Sequence, residues 1–504
     1  MARRRRPASR TPAALYAAAV GALGLAVRLV LRRMRSTGRG STVLPRNYKE
    51  ALRKEEIQQL EAAAAEFDGR VLVPALKKAL ELNVASAGPP REPPPPAANV
   101  VDPEEEPAST KAAWRKSALR LIHEGRCASI LLAGGQGTRL GADCPKGCLT
   151  IGLPSQATLF ELHAMRLRRL AVVAAESEGK GASPKGIPWY IMTSDATHAE
   201  TVAHFKESSY YGLDPNDVVF FPQGMLPALT KDGVAVLTGV HVASHLSLSP
   251  DGNGGIYQVL LKHGVLDDMR RRRVVCCDAI CVDNVLARPL EPGFVGCCLA
   301  RNADMGALAV EKAYAHEKVG VFVEAPGNAG GLSVCEYSEM PKASSEEMGP
   351  GNKLKYRWGN VCIHFYTADF LNKMASTAIN AMLPYHAAIK QVPGVAGEKV
   401  EAVKLERFIF DAFAFAKNAT LYAAKREDAF APIKNKAGPG VKDSPETARK
   451  LLCKQHARWL RKAGAFLLDP PDSEYEIAPG ATYDGDGLEA VVEGMRLEAG
   501  LVIL

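Results

Sequence analysis

From Cys127 onward, short apolar runs alternate with amphipathic segments, and this alternation restricts the chain to an α/β fold on a largely parallel sheet. An apolar run bounded by turn residues suits a strand buried on both faces, and the amphipathic stretches supply the helices that cover it. The runs read as strands are Ala128–Ala133, Trp189–Thr193, Val218–Phe221, Val274–Val282, Phe294–Ala300, Val319–Val323, Ser333–Tyr337 and Val361–Tyr366. Phe160, Ala164, Leu167 and Ala171 mark an apolar helix face between the early ones. A doubly wound sheet places ligands beyond the carboxyl ends of its strands, and a glycine loop, Gln223 and Asp283 all fall just after such runs.

That glycine loop is the stretch LLAGGQGTRLG, Leu131 to Gly141, followed by Lys146 within PKG. Gly134, Gly135 and Gly137 let the backbone turn tightly and bring its N–H groups against a polyanion, and Arg139 and Lys146 add positive charge. The spacing of Gly135, Gly137 and Gly141 is one residue too long for the dinucleotide fingerprint, and no Gly-Lys-Ser/Thr follows as a P-loop requires. A lone Arg or Lys on a loop is ordinarily a solvated charge; the motif around these two points instead to phosphate handling.

The string LAGGQGTRLG…PKG resembles the signature of the eukaryotic UDP-N-acetylhexosamine pyrophosphorylases, which make UDP-N-acetylglucosamine. The resemblance continues, in the family's order, through GLPSQATLFELHAMR, IMTSDATHAET, YYGLDPNDVVFFPQG, PDGNGGIY, CVDN, EYSE, KLERFIFDAF and EDAFAPIKN. It spans about Trp114 to the C-terminus, and RWGNVCIHFYTADFLN is most similar to plant-type members. It implies an α/β fold with a Rossmann-like nucleotidyltransferase (GT-A-like) core, a mostly parallel central sheet and small N- and C-terminal domains.

The same resemblance implies roles. Leu132, Ala133, Gly134 and Gly135 would contact the nucleotide, Arg139 the β- and γ-phosphates, and Lys146 the phosphate undergoing transfer. Gln223 would read the base edge and Gly252 the uracil, while Asn253, Gly320, Glu336 and Asn360 would hold the sugar. Asp283, ending a Val/Cys/Ile-rich strand, would hold Mg²⁺ (or Mn²⁺), a hard cation that bridges phosphate oxygens. Lys404 would reach the UTP phosphates and Lys434 the sugar phosphate, both delivered by a C-terminal unit closing over the site. By itself PDGNGG suggests only a β-turn and a strand-terminal Asp only a turn-former. Two departures stand out: Leu248-Ser249 replaces the family's usual Met-Ala, and Trp358 stands where many members have Ala, which bears on the sugar pocket's shape. His364 reads as a packed histidine, since the implied reaction needs no acid.

The implied activity is uridylyl transfer from UTP to N-acetylglucosamine 1-phosphate. The alternatives are another sugar 1-phosphate (the galacto epimer or glucose 1-phosphate), or a non-catalytic UDP-sugar-binding protein.

Charge points to no polynucleotide partner. Residues 1–49 hold eleven Arg and Lys49 with no acid, so the net charge of +8 becomes −4 for the rest, and the body needs no nucleic-acid face. Eleven cysteines with no C-x-x-C pair indicate reduced thiols and a cytoplasmic setting, and none has zinc-ligand spacing. The Arg-rich residues 1–40 surround an apolar stretch, Ala13–Val27, too short for a confident membrane span. A signal-anchor, an organelle transit peptide and sequence upstream of the true start remain open, so organelle targeting or membrane association rests on this segment alone. The expected division is an extension at 1–45, a helical segment with a Pro-rich linker at 46–125, the nucleotidyltransferase core at 126–394 and a C-terminal domain at 395–504. Within it Tyr48–Val84 reads as helical, Trp114, Ala118, Leu121 and Ile122 form a helix face, and Leu405, Phe408, Ile409 and Ala412 another.

Overall fold

The computed structural model describes residues 44, 49, 52–85, 92–179, 181–239, 244–328, 330–395 and 397–502. The Arg-rich segment before residue 44, with the three readings of it, lies outside the described residues. Among the described residues no helix is long and apolar enough to cross a membrane.

One ten-stranded sheet organises the chain. Its strands, with one hairpin beside it, are β1 (Val100–Val101), β2 (Cys127–Leu132), β3 (Trp189–Thr193), β4 (Val218–Pro222), β5 (Cys276–Cys281), β6 (Met305–Glu311), β7 (Val321–Glu324), β8 (Leu332–Cys335), β9 (Trp358–Thr367), the hairpin strands β10 (His386–Pro393) and β11 (Lys399–Glu406), and β12 (Ala419–Ala424). The order across the sheet is β1-β12-β6-β9-β5-β2-β3-β4, with β7 pairing β8 and the start of β9. Along that path only β9 runs antiparallel to its neighbours, so the sheet is mostly parallel as expected. From β2 the chain moves to β3 and β4, then returns to β5 on the other side of β2. The carboxyl end of β2 is therefore a topological switch point, where neighbouring connections diverge and leave a crevice.

Every residue of β2 and β3 is buried. Alternate side chains feed two cores: Leu131 and Ile191 pack on one face with the helix Leu159–Glu178, and Ile130, Leu132 and Met192 pack on the other with Leu260 and Leu266. Phe160, Ala164, Leu167 and Ala171 form the buried face of that helix as expected, and Thr158 caps it by accepting from the Glu161 N–H at 3.2 Å.

Several expected elements differ. Phe294–Ala300, read as a strand, belongs to the helix Pro292–Ala300, because Pro292 opens its first turn and the Glu291 carboxylate accepts from Gly293 N and Phe294 N. An unbroken apolar run carries no period by which helix and strand can be told apart. The neighbouring strand is β6 instead. Leu405 ends in β11, while Ile409 and Ala412 lie in the 3₁₀ turn Ile409–Phe415 and enter the other core. The single helix expected from Tyr48 is two, Lys54–Ala65 and Gly69–Ala85, separated where Asp68 accepts from Arg70 N at 2.9 Å.

The expected division does not follow the sheet. A cut at 394/395 falls within the β10–β11 hairpin, and β12, from beyond it, sits inside the main sheet between β1 and β6. A cut at 125/126 likewise separates β1 and the helix Ala108–His123 from the sheet they complete. What stands apart at the C-terminus is smaller: the helix Pro445–Lys462 with short strands packs Leu460, Tyr475, Ile477 and Val492 into a core of its own.

Candidate active site at the carboxyl edge of the sheet

β2 ends with Ala133 N donating to Met192 O at 2.8 Å, and Gly134 then meets the ends of β3 and β4. A Cβ on Gly134 would lie 2.9 Å from Gln223 Oε1 and 3.3 Å from Thr193 O, so only glycine lets the Gln223 carboxamide lie across this backbone. Gln223 is itself anchored by its N–H to Thr193 O at 2.8 Å. The loop doubles back on itself: Gly137 N donates to Cys144 O at 2.9 Å and Lys146 N to Gly135 O at 3.1 Å.

That closure aims Lys146 inward. Its Nζ donates to Asp283 Oδ2 at 3.0 Å and to Ile433 O at 3.3 Å, and its side chain is only 18% exposed. The third strand of this cluster is the segment before Lys434. Ile433 N donates to Asp283 O at 2.9 Å, Asn284 Nδ2 to Ala429 O at 2.8 Å, and Ala431 N to Asn284 Oδ1 at 2.9 Å. Asn284, buried at 1% exposure, was present in CVDN but unassigned by sequence; its carboxamide matches two backbone groups of a chain 145 residues away. The segment that leads to Lys434 is thus seated beside Asp283, while the Lys434 ammonium lies 5.6 Å over the Phe430 ring.

Next to the loop is a cavity of about 520 Å³ whose walls include Leu132, Gly134, Gly135, Gln223, Leu248 and Asn253. Asn253 Oδ1 accepts from Ile409 N at 2.9 Å, which leaves its amide N–H groups to donate elsewhere. Leu248 lines the cavity as an exposed apolar side chain, whereas the Ser249 hydroxyl is buried and, among the described residues, without a hydrogen-bond partner. Gly252 has φ +85°, and a Cβ there would lie 2.3 Å from Arg407 O. Gly252→Ala should therefore raise KM for UTP by roughly tenfold, since a backbone at φ +85° and ψ 170° is essentially open to glycine alone and costs an L-residue about 1–3 kcal/mol, and Arg407 must also shift. Steady-state kinetics checks this; an unchanged KM would separate Gly252 from the base pocket.

The residues expected at the sugar also converge. Asn360 N donates to Gly320 O at 2.8 Å, and Glu336 Oε1 lies 2.8 Å from where a Gly320 Cβ would be. Burial and the charge of Glu339 raise the Glu336 carboxyl pKa, opposed by Lys434, whose charge reaches it. Asn360 Oδ1 accepts from Cys362 N at 3.0 Å and from His364 Nε2 at 3.0 Å, which fixes its amide orientation. His364 is fully buried, its pKa is pushed down to about 3 by burial, and its Nδ1 faces Tyr366 Oη at 3.2 Å. It is the packed histidine the sequence suggested, and it orients Asn360.

Not every expected residue joins the cluster. Arg139 is exposed on the 3₁₀ turn Thr138–Leu140, and Lys404 lies half-buried on β11, where its backbone pairs with Ala388; among the described residues neither side chain makes a hydrogen bond or an ion pair. Trp358 lines a separate cavity with Pro94 and Pro95, the Arg357 guanidinium 4.8 Å over its ring, and is not among the residues that wall the cavity beside the glycine loop. Among the described residues no group of three or more His, Cys, Asp or Glu could hold a metal. A lone carboxylate at Asp283 still suits Mg²⁺, which takes one or two carboxylates and completes its shell with phosphate oxygens and water.

A glycine loop at a switch point, with Lys146 paired to Asp283 and the segment before Lys434 bonded to the same residue, defines an α/β protein of the nucleotide-handling class. The family model for UTP–glucose-1-phosphate uridylyltransferase matches residues 93–479. The chain is 42% identical over 406 residues to UDP-N-acetylglucosamine diphosphorylase 2 of Arabidopsis thaliana, covering 79% of each chain. It is 40% identical over 417 residues to UDP-N-acetylhexosamine pyrophosphorylase-like protein 1 of Homo sapiens, covering 78% of this chain and 80% of the other. The uridine diphosphate N-acetylglucosamine pyrophosphorylase from Trypanosoma brucei, solved with an inhibitor, superposes with a TM-score of 0.76 at 28% identity, over 88% of this chain and 91% of that one. The chain belongs to this uridylyltransferase family.

Proposed function

We infer that this protein joins UTP to N-acetylglucosamine 1-phosphate, giving UDP-N-acetylglucosamine and pyrophosphate. The observation that carries this reading is the 42% identity with a UDP-N-acetylglucosamine diphosphorylase across 79% of both chains. An oxygen of the sugar phosphate attacks the α-phosphorus in line, and the bond to the β-phosphate oxygen breaks. No general base is required, because a phosphate monoester is already anionic at neutral pH, its second pKa being about 6. The protein's task is to bring two mutually repelling anions together and stabilise charge on the departing pyrophosphate.

The residues divide that task. Leu132, Ala133, Gly134 and Gly135 bring backbone against the nucleotide, Gln223 and Gly252 hold the base, and Lys146 meets the phosphate undergoing transfer. Arg139 and Lys404, whose side chains have no partner among the described residues, attract the UTP phosphates by their charge. Gly320, Glu336, Asn360 and Asn253 bind the sugar, and Lys434 its phosphate. Asp283 would hold Mg²⁺ or Mn²⁺, which would neutralise phosphate charge when bound. The Lys146–Asp283 ion pair keeps both groups at the same point before the phosphates arrive.

The family model's description keeps glucose 1-phosphate as a second reading. Pyrophosphate release with UTP and a panel of sugar 1-phosphates decides between them. A site that hydrogen-bonds an acetamido group leaves polar partners unpaired when the group is missing and can discriminate by about 10⁴-fold, whereas an apolar pocket manages roughly 10–200-fold. N-acetylated substrates should win in kcat/KM by that larger margin, and a chain starting at Pro45 should show the same ratio. Equal use of glucose 1-phosphate would overturn the assignment.

A further inference from the structure

We propose that His386 is a positioning residue for the sugar: its imidazolium ties the turn after Glu336 to the turn that holds Asn253. The proposal rests on the reading of Glu336 and Asn253 as sugar-binding residues. His386 opens β10, its side chain 20% exposed, and both ring nitrogens face carboxylates. Nδ1 lies 3.2 Å from Glu339 Oε1, and Nε2 lies 3.0 and 3.1 Å from the two oxygens of Asp411. Ionised carboxylates only accept, so both nitrogens carry protons and the ring is a cation. Burial works against that charge, but Asp411 and Glu339 together hold the pKa up at about 10. The ring also packs against Phe408, centroids 4.3 Å apart and planes tilted by 36°.

One carboxylate belongs to the turn that carries Glu336, the other to a turn that hydrogen-bonds Asn253. On one side, Glu339 N donates to Glu336 O at 2.9 Å and Met340 N to the same oxygen at 3.0 Å, so the turn closes on Glu336. On the other, Asp411 Oδ2 accepts from Phe408 N at 2.8 Å, and the next residue, Ile409, donates its N–H to Asn253 Oδ1 at 2.9 Å. Glu336 and Asn253 come from segments more than 80 residues apart in sequence, and His386, from a third, spans them through two charge-assisted contacts. The imidazolium does not act as an acid, because the reaction needs none.

The variants His386→Gln and Asp411→Asn test this in the full chain, with Glu336→Gln in parallel. Asp411→Asn keeps the side chain's shape and its acceptor for Phe408 N while removing the charge. Both His386→Gln and Asp411→Asn should raise KM for N-acetylglucosamine 1-phosphate about tenfold, as expected when a binding group is misplaced, with KM for UTP within twofold and kcat nearly unchanged. A parallel loss of kcat and of affinity for both substrates would show that the contact is merely structural and overturn the proposal, as would an unchanged sugar-phosphate KM in both variants. If Glu336→Gln raises that KM and the other two do not, the proposal fails while the sugar site stands; if Glu336→Gln leaves it unchanged, the reading of Glu336 itself fails.

Discussion

Lys146→Ala is expected to lower kcat by about 10²–10³, the usual consequence of losing one preorganised group aimed at transition-state charge, while KM for UTP changes only a few-fold. The side chain is poised for this: the turn that bonds Lys146 N to Gly135 O at 3.1 Å brings its Nζ to Asp283 and Ile433 O, well away from bulk water. Cations that only attract the triphosphate affect substrate and transition state alike and appear in KM; one that meets charge as pyrophosphate leaves appears in kcat. Removing Lys146 also strips Asp283 of its ion-pair partner, so the melting temperature and the Mg²⁺ dependence must be measured beside the rate. A variant with near-full kcat would make Lys146 only the partner of Asp283.

Asp283→Asn is expected to abolish most metal-dependent activity, by about 10²-fold or more, and to raise the Mg²⁺ concentration needed for half-maximal rate. Asn preserves the side chain's volume and can still accept from Lys146, but it lacks the charge a hard dication requires. The fold should survive, because Asp283 holds the C-terminal segment through its backbone carbonyl, which accepts from Ile433 N, and the remaining stitching comes from Asn284. Rates across a Mg²⁺ series, with circular dichroism as the check on folding, test both halves. Wild-type rate and wild-type Mg²⁺ dependence would assign the metal to another ligand.

Local motifs were legible wherever local backbone chemistry is itself the signal. The tight turn at Gly134 and the turn within PDGNGG are consequences of which residues tolerate such backbones, and the structure has a glycine turn at both places. Position in the sheet was less legible. β12 was read as part of a separate C-terminal unit, yet it completes the core between β1 and β6, with parallel pairing to both. Phe294–Ala300 failed for a related reason: all-apolar segments show their burial but not their periodicity. The departure at Trp358 pointed at the sugar pocket because Gly359 and Asn360 follow it; its ring lies under the Arg357 guanidinium and lines a cavity with Pro94 and Pro95, long-range neighbours that no local pattern announces.

The sequence by itself determined that this chain is an α/β nucleotide-handling protein, where its glycine loop lies, and to which enzymes it is akin, because those properties reside in short segments whose residues act on their own backbone. Only the tertiary structure decided which charges meet. Lys146 and Asp283 are 137 residues apart and Asn284 and Ala429 are 145 apart, and His386 reaches Glu339 and Asp411 from a third segment. Such pairings depend on strand order and register, which arise from the simultaneous burial of both faces of one sheet and are encoded in no single stretch of the chain.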